Sequence, residues 1–137
     1  MKNLFIDTNI IIDLLARREP FFEDAAQLFS VADTNKVKLS VSSLTIANTS
    51  YALLKQMNSK KAKSVLRNLR LILNILPLND GIIGLALEDE KFSDFEDGLQ
   101  YFTALEYRQD MIITRNLKDF KNSKLPTMTA KQFIEMI

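Results

Sequence analysis

Short apolar runs alternate along this chain with longer stretches of helical period. Leu4-Phe5-Ile6 is a compact apolar run that predicts a buried strand, and it ends at Asp7. Thr8 or Asn9 can cap the helix that follows over Ile10 to Leu15. Pro20 suits the first turn of the next helix, on which Phe22, Ala25, Ala26, Phe29 and Ala32 mark one face. Lys36 to Val41 predicts a second strand. Ser43 to Met57 predicts a helix with Leu44, Ala47, Tyr51 and Leu54 on or near one face. A basic helix then runs toward a short strand at Ile75-Leu76, which Pro77 keeps from being long or central. Ile82 to Leu87 belongs to another helix. Ser93 with Glu96 fits a capping box before a helix carrying Leu99, Phe102 and Leu105. Met111 to Thr114 predicts a late strand, Arg115 to Phe120 a loop or single turn, and Thr129 with Gln132 a second capping box before a terminal helix.

Short strands alternating with longer helices predict an α/β/α sandwich around a central, mostly parallel sheet, as one domain over residues 1–137. In such sheets ligands sit beyond the carboxyl ends of the strands. Asp7 follows one strand directly, Asn116 and Asp119 follow another, and Asp94 and Asp97 lie at a helix start. All of them can therefore meet at one edge of the sheet.

Composition narrows the chemistry. The chain has no cysteine and no histidine, which excludes disulfides, thiolate and imidazole catalysis, and histidine-ligated zinc. Lack of cysteine also suits a reducing compartment, so the expected location is the cytoplasm. Asp7 interrupts the early apolar run, no secretory leader is expected, and no apolar stretch approaches a membrane span. No GxxxxGK loop is present, which disfavours a nucleoside triphosphatase. A net charge of +1 hides two opposed segments. Between Asp33 and Asp80 there is no acid, while Lys36, Lys38, Lys55, Lys60, Lys61, Lys63, Arg67 and Arg70 all fall there. From Asp80 to Asp97 the acids Asp80, Glu88, Asp89, Glu90, Asp94, Glu96 and Asp97 face only Lys91.

Asp94 and Asp97 share a helix face, and two adjacent carboxylates repel unless a cation joins them. Mg²⁺ or Mn²⁺ prefers oxygen ligands, activates bound water and polarises a phosphodiester, a route open to a protein without histidine. The competing reading is local: acids in a first helical turn serve as caps, and Asp-Thr-Asn makes a good strand-to-helix turn. On its face this constellation points to hydrolysis of a nucleic acid backbone, with Asp7, Asp94 and Asp97 as metal ligands and Asn116 and Asp119 completing the site. Lys60, Lys61, Lys63, Arg67 and Arg70 can then neutralise phosphates, or simply form a solvated helix face. Arg115 lies beside the site, where it meets either a phosphate or a carboxylate. Phe21, Phe22 and Leu28, or Tyr51 and Leu54, serve the core or receive a partner segment.

FIDTNIIIDLL, SVSSLTIANTSYALL, DFEDGLQYFTAL and IITRNLKDF, in that order, resemble the PIN-domain family, in particular its VapC-like toxin ribonucleases. The resemblance spans nearly the whole chain. It implies metal-site acids at Asp7 and Asp97, an Asp, Asn or Ser near Asn116, and often another Asp near Asp119. Thr8, Asn9 and Thr114 would support the site. It further implies a metal-dependent endoribonuclease, an RNA substrate, a cognate antitoxin and a homodimer. One position departs from the pattern: Asn48 stands where the family commonly has Glu. An amide offers an oxygen but no charge, so cation affinity should fall. Asp94 is one candidate to supply the missing charge. A catalytically weak or inactive module that binds RNA or protein is the alternative.

Overall fold

The computed structural model describes residues 1–137. Five strands form one sheet: β1 (Lys2–Ile6), β2 (Val37–Ser42), β3 (Asn74–Leu76), β4 (Met111–Ile113) and β5 (Thr127–Met128). Their order is β3-β2-β1-β4-β5, and every neighbouring pair is parallel. The expected sandwich is therefore present, with a wholly parallel sheet. The chain walks outward from β1 in one direction as far as β3, then returns to the other side of β1 for β4 and β5. That reversal places a crevice between β1 and β4 at their carboxyl ends.

Parallel strands must be covered on both faces, because the helices that connect them pack there. Alternation along β1 shows how the two layers are built. Leu4 and Ile6 enter the larger core with Val37, Leu39 and Val41 of β2 and Met111 and Ile113 of β4. Phe5 and Ile112 point the other way, into a cluster with Leu76, Phe92, Tyr101 and Phe120. Helices α1 (Thr8–Leu15), α2 (Phe22–Ala32) and α7 (Ala130–Met136) supply Ile10, Ile11, Ala25, Leu28 and Phe133 to the first layer. Leu69 comes to that layer from α4 (Ser59–Ile72), which packs on α3 (Ser43–Leu54). On the opposite face α6 (Phe95–Glu106) packs against α5 (Asp80–Glu88), with Leu99 between Ile82 and Ala86.

The helix starts follow side-chain chemistry. Ser42, Asn58, Asn79 and Thr129 each accept a hydrogen bond from a backbone N–H three residues on, and Thr129 and Gln132 form the expected reciprocal box. The start of α6 differs from expectation. Asp94, not Ser93, is the cap, and it accepts from the Asp97 N–H at 3.1 Å. A carboxylate at this position satisfies the same orphan donor and also complements the positive helix end, which a serine hydroxyl does not.

Asp13, a charged residue on α1, is fully buried (0% exposed). The reason is a partner more than a hundred residues away: Arg115 donates through Nε to Oδ2 at 2.6 Å and through Nη2 to Oδ1 at 3.1 Å. Leu28 lies wholly in the core, whereas Tyr51 and Leu54 stay exposed on α3. No helix is long and apolar enough to cross a membrane.

Phe5, with 0% exposure, fills the space between the central strand and α6. Replacing it by alanine is expected to destabilise the protein by about 3–5 kcal/mol, the usual loss for a buried Phe. Urea unfolding measures this directly, and a loss under about 1 kcal/mol would mean that the second layer is looser than described.

Candidate active site

Asp7 leaves the sheet at the crevice where the strand order reverses. Its backbone N–H still donates to the Ile113 carbonyl at 3.0 Å, which fixes its Cα in the β4 ladder. The carboxylate is only 8% exposed. Oδ1 accepts from the Thr8 N–H at 2.8 Å, and Oδ2 accepts from the Thr114 hydroxyl at 2.7 Å and from Asn9 Nδ2 at 3.3 Å. The Thr114 oxygen in turn accepts from the Asn116 N–H at 3.0 Å, and Asn9 Oδ1 accepts from the Arg115 N–H at 3.5 Å. Thr8, Asn9 and Thr114 therefore hold Asp7, and the loop after β4 is tied to it through two of them.

Beneath this lies a polar cluster that sequence reasoning missed. Gln100 is buried on α6 and donates through Nε2 to the hydroxyls of Thr8 and Thr45, both at 3.0 Å. Its Oε1 accepts from the Ser42 hydroxyl at 2.7 Å, and Thr8 and Thr45 share a hydrogen bond at 2.7 Å. One amide thus joins the first turns of α1 and α3, the end of β2 and the middle of α6. No local signal marks it: Gln100 shares its face of α6 with Glu96, Asp97, Thr103 and Ala104, and only its distant partners reveal its role.

Asp97 sits half-buried in the first turn of α6 and opens on two adjoining hollows. The first contains Asp7, Thr8, Asn9, Asn48, Glu96 and Asn116, with Gln100 at its floor and Arg18 at its rim. The second contains Asp94, Asp97 and Asp119 together with Lys91, Lys118 and Lys121. The structure thus brings Asp7, Asp97, Asn48 and Asn116 to one hollow and places Asp94 and Asp119 in its neighbour. Asn48 donates through Nδ2 to Glu96 Oε1 at 3.3 Å. Lys60, Lys61, Lys63, Arg67 and Arg70 are exposed on α4, and none of them lines either hollow. The carboxyl-terminal end of α4 reaches Leu71 and Ile72 beside Met1 and Val37, at the amino-terminal edge of the sheet. Arg115 is engaged by Asp13, and its guanidinium lies 4.0 Å over the Phe21 ring.

Electrostatics follow from this geometry. Burial raises Asp7 above the ordinary carboxylate range; the hydrogen bonds from Thr114 and Thr8 oppose that rise, Asp119 adds to it and Arg115 offsets it. Asp97 is pushed up to about 7, first by burial and then by the charges of Asp94, Asp7, Asp119 and Glu96. The site holds more negative charge than its own residues neutralise.

A PIN-domain family model matches residues 3–118. The chain belongs to the PIN-domain family. It is 30% identical to ribonuclease VapC1 of Aquifex aeolicus (strain VF5) over 138 residues, covering 98% of this chain and 94% of that protein. Among solved structures, a toxin–antitoxin complex from Klebsiella pneumoniae contains a chain 25% identical, with a TM-score of 0.68 over 93% of this PIN domain and 97% of that chain. VapBC-1 from nontypeable Haemophilus influenzae shares the fold at 19% identity, with a TM-score of 0.69 and coverage of 94% and 98%. The family and its VapC-like form, expected from the sequence, are thereby established.

Members of this family typically use divalent metal ions, and the donor chemistry of this PIN domain can be tested against that. The first hollow offers carboxylate and amide oxygens and nothing softer, the set that Mg²⁺ or Mn²⁺ prefers. Its uncompensated negative charge also suits a cation. However, no group of three or more Asp or Glu side chains is gathered closely enough to hold one ion. The residues fit a hydrated cation bound by few protein ligands, and they do not form a closed cage.

Two outcomes are expected. Thr114 has 0% exposure, and Thr114→Val removes a donor to a buried carboxylate, so it should destabilise the domain by about 1–3 kcal/mol in urea titrations. The raised Asp97 means that the folded state binds this proton more tightly than the unfolded chain. Ionising it therefore lowers stability progressively from the ordinary value of 3.8 to about 7. In EDTA, Asp97→Asn should gain stability relative to wild type as pH rises from about 5 to 8. Parallel stability curves for the two proteins would show that Asp97 titrates normally.

Proposed function

We propose that this PIN domain is the toxin component of a VapC-like pair, an RNA-directed module whose metal-dependent phosphodiester hydrolysis is weak. The similarity to ribonuclease VapC1 and to chains of toxin–antitoxin complexes supports the substrate class and the pairing with a cognate antitoxin. The observation that carries the word weak is local. In the hollow at the switch point α3 contributes the neutral amide of Asn48, and no three carboxylates are gathered for one ion.

Asp7 and Asp97 would hold Mg²⁺ or Mn²⁺, with the amide oxygens of Asn48 and Asn116 nearby and Asp94 and Asp119 adding negative field from the adjoining hollow. Bound there, the ion would supply a more acidic water and polarise the phosphodiester. The chain's own residues do the positioning. Thr114 and the Thr8 N–H fix both oxygens of Asp7, so its orientation is set before any ligand arrives. Gln100 ties α6 to α1 and α3, which fixes the backbone from which Asp97 projects. When no cation is bound, Asp97 retains a proton up to about pH 7, which relieves its repulsion with Asp7. Arg18 at the rim and the exposed Lys60, Lys61, Lys63, Arg67 and Arg70 contribute positive charge for RNA phosphates. A second copy of the chain is the other expected partner.

Incubation of purified protein with structured and single-stranded RNA in Mn²⁺ tests this reading. Slow cleavage is expected, abolished by EDTA and by Asp7→Asn, while RNA retention in EDTA is unchanged. Cleavage that survives Asp7→Asn would remove the assigned site. RNA binding without any cleavage would leave the non-catalytic module.

A further inference from the structure

We propose that the second hollow is a phosphate-binding track for single-stranded RNA, in which Lys91, Lys118 and Lys121 hold the strand as it leaves the candidate site past Asp97. The inference rests on the RNA-directed reading above and assigns the path that the strand takes. Three observations carry it. The hollows are continuous: Asp97 belongs to the first and the second, and a third shares Lys91, Phe92 and Asn122 with the second while adding Lys124, Tyr101 and Phe102. The cations are free: Lys91, Lys118 and Lys121 are exposed, and none makes an ion pair with the acids beside it. The backbone that carries them is fixed. Asp89 Oδ2 accepts from the N–H groups of Lys91 at 2.9 Å and Phe92 at 2.7 Å, and Asn122 donates through Nδ2 to the Lys91 carbonyl at 2.9 Å. Phe92 stacks on Tyr101 with ring centroids 4.7 Å apart and meets Phe120 edge-on at 6.0 Å. The segment before α6 and the turn after β4 are thereby clamped together, and each brings lysines to the same hollow.

Asp94, Asp97 and Asp119 line this hollow too, so its cations must reach a phosphate past them. Asp94 is turned back onto the Asp97 N–H at 3.1 Å. A lysine head rides on a flexible four-carbon stem, whereas an aspartate carboxylate lies close to its backbone, so an approaching strand meets the ammonium groups first. Each unpaired ammonium offers three donors to phosphate oxygens and gains from the release of condensed counterions. The third hollow adds what an unpaired base needs. Phe92, Tyr101, Phe102 and Leu105 give it an apolar wall beside Lys91 and Lys124. Bases inside a duplex are stacked on one another and cannot use such a wall, so the track fits a single strand. Lys60, Lys61, Lys63, Arg67 and Arg70 line none of the three hollows. Their field at the track is screened beyond a distance of about 10 Å in ordinary salt.

Anisotropy of a short fluorescent single-stranded RNA, in EDTA and over a salt series, tests this path. Lys118→Gln with Lys121→Gln removes two cations of the track; affinity should fall about tenfold and the salt slope by about 1.4, at about 0.7 for each single-strand phosphate contact. Lys60→Gln, Lys61→Gln and Lys63→Gln together should stay within about twofold of wild type. A duplex of the same sequence should bind more weakly than the single strand. Melting temperatures of both variants should match wild type, since all these side chains are exposed and without ion pairs. Lysine acetylation of the wild-type protein, read by mass spectrometry, should show that RNA protects Lys91, Lys118 and Lys121 and leaves Lys60, Lys61 and Lys63 reactive. If wild type retains no RNA, the RNA-directed reading fails and takes this inference with it. If wild type binds and the Lys118, Lys121 variant binds equally well, those lysines only balance the neighbouring acids and the track is refuted. A loss in the α4 variant as large as in the track variant refutes it as well. A duplex that binds as tightly, with the same dependence on Lys118 and Lys121, refutes the assignment to unpaired RNA.

Discussion

Asp7 is a carboxylate with almost no access to water, placed where the central strand gives way to the first helix. Burying an anion there is unfavourable unless donors replace the lost hydration. The chain supplies them from three directions: the Thr8 N–H at the start of α1, the Asn9 amide one residue on, and the Thr114 hydroxyl at the end of β4. Each donor also commits the backbone that bears it. The register of β1 against β4, the entry into α1 and the course of the loop at Asn116 are all arranged about one side chain. These donors orient Asp7 without neutralising it, which is why burial still dominates its titration.

The polar cluster around Gln100 has the complementary task. On β2, Val37, Leu39 and Val41 face the larger core while Ser40 and Ser42 face the other layer. An apolar side chain at position 42 would pack there equally well in terms of area, yet it would give no fixed orientation. Instead Ser42, Thr45, Thr8 and Gln100 satisfy one another, so α6 cannot slide along the sheet without breaking several buried hydrogen bonds. Since Asp97 lies one turn before Gln100, the distance between the two central acids is set by this cluster and not by the acids themselves.

Much of this was legible in the sequence, for identifiable reasons. Apolar runs such as Leu4-Phe5-Ile6 and Met111-Ile112-Ile113 reveal strands covered on both faces, and strand-end acids in such sheets mark the ligand edge. Asp7 and Asp97 were therefore readable as partners. What escaped was contact between distant residues. Asp13 looks like a polar position on an amphipathic helix until Arg115 arrives from beyond β4. Gln100 carries no local signature either: it is a polar residue among the buried positions of α6. The two-residue strand at Thr127 and Met128 was likewise invisible, because its existence depends on β4 offering an open edge.

The two acids of the first helical segment show how the protein distributes its charge. Asp13 and Asp7 lie six positions apart, and both are buried. Asp13 receives the one close ion pair in the structure, made with the same Arg115 whose backbone N–H reaches Asn9 beside Asp7. A rotation of that arginine toward Asp7 would neutralise the strand-end acid and leave Asp13 uncompensated deep between α1 and α2. Phe21 opposes such a rotation by stacking on the guanidinium. Unlike Arg115, the lysines of the second hollow stay uncommitted: Lys91, Lys118 and Lys121 line it without making an ion pair to Asp94, Asp97 or Asp119. A fold that neutralises its structural acid and leaves its strand-end acids without a close protein cation keeps a negative potential at the sheet edge. That potential is available to a cation from solution, whereas the hollow at Phe21 holds the acid that Arg115 already neutralises.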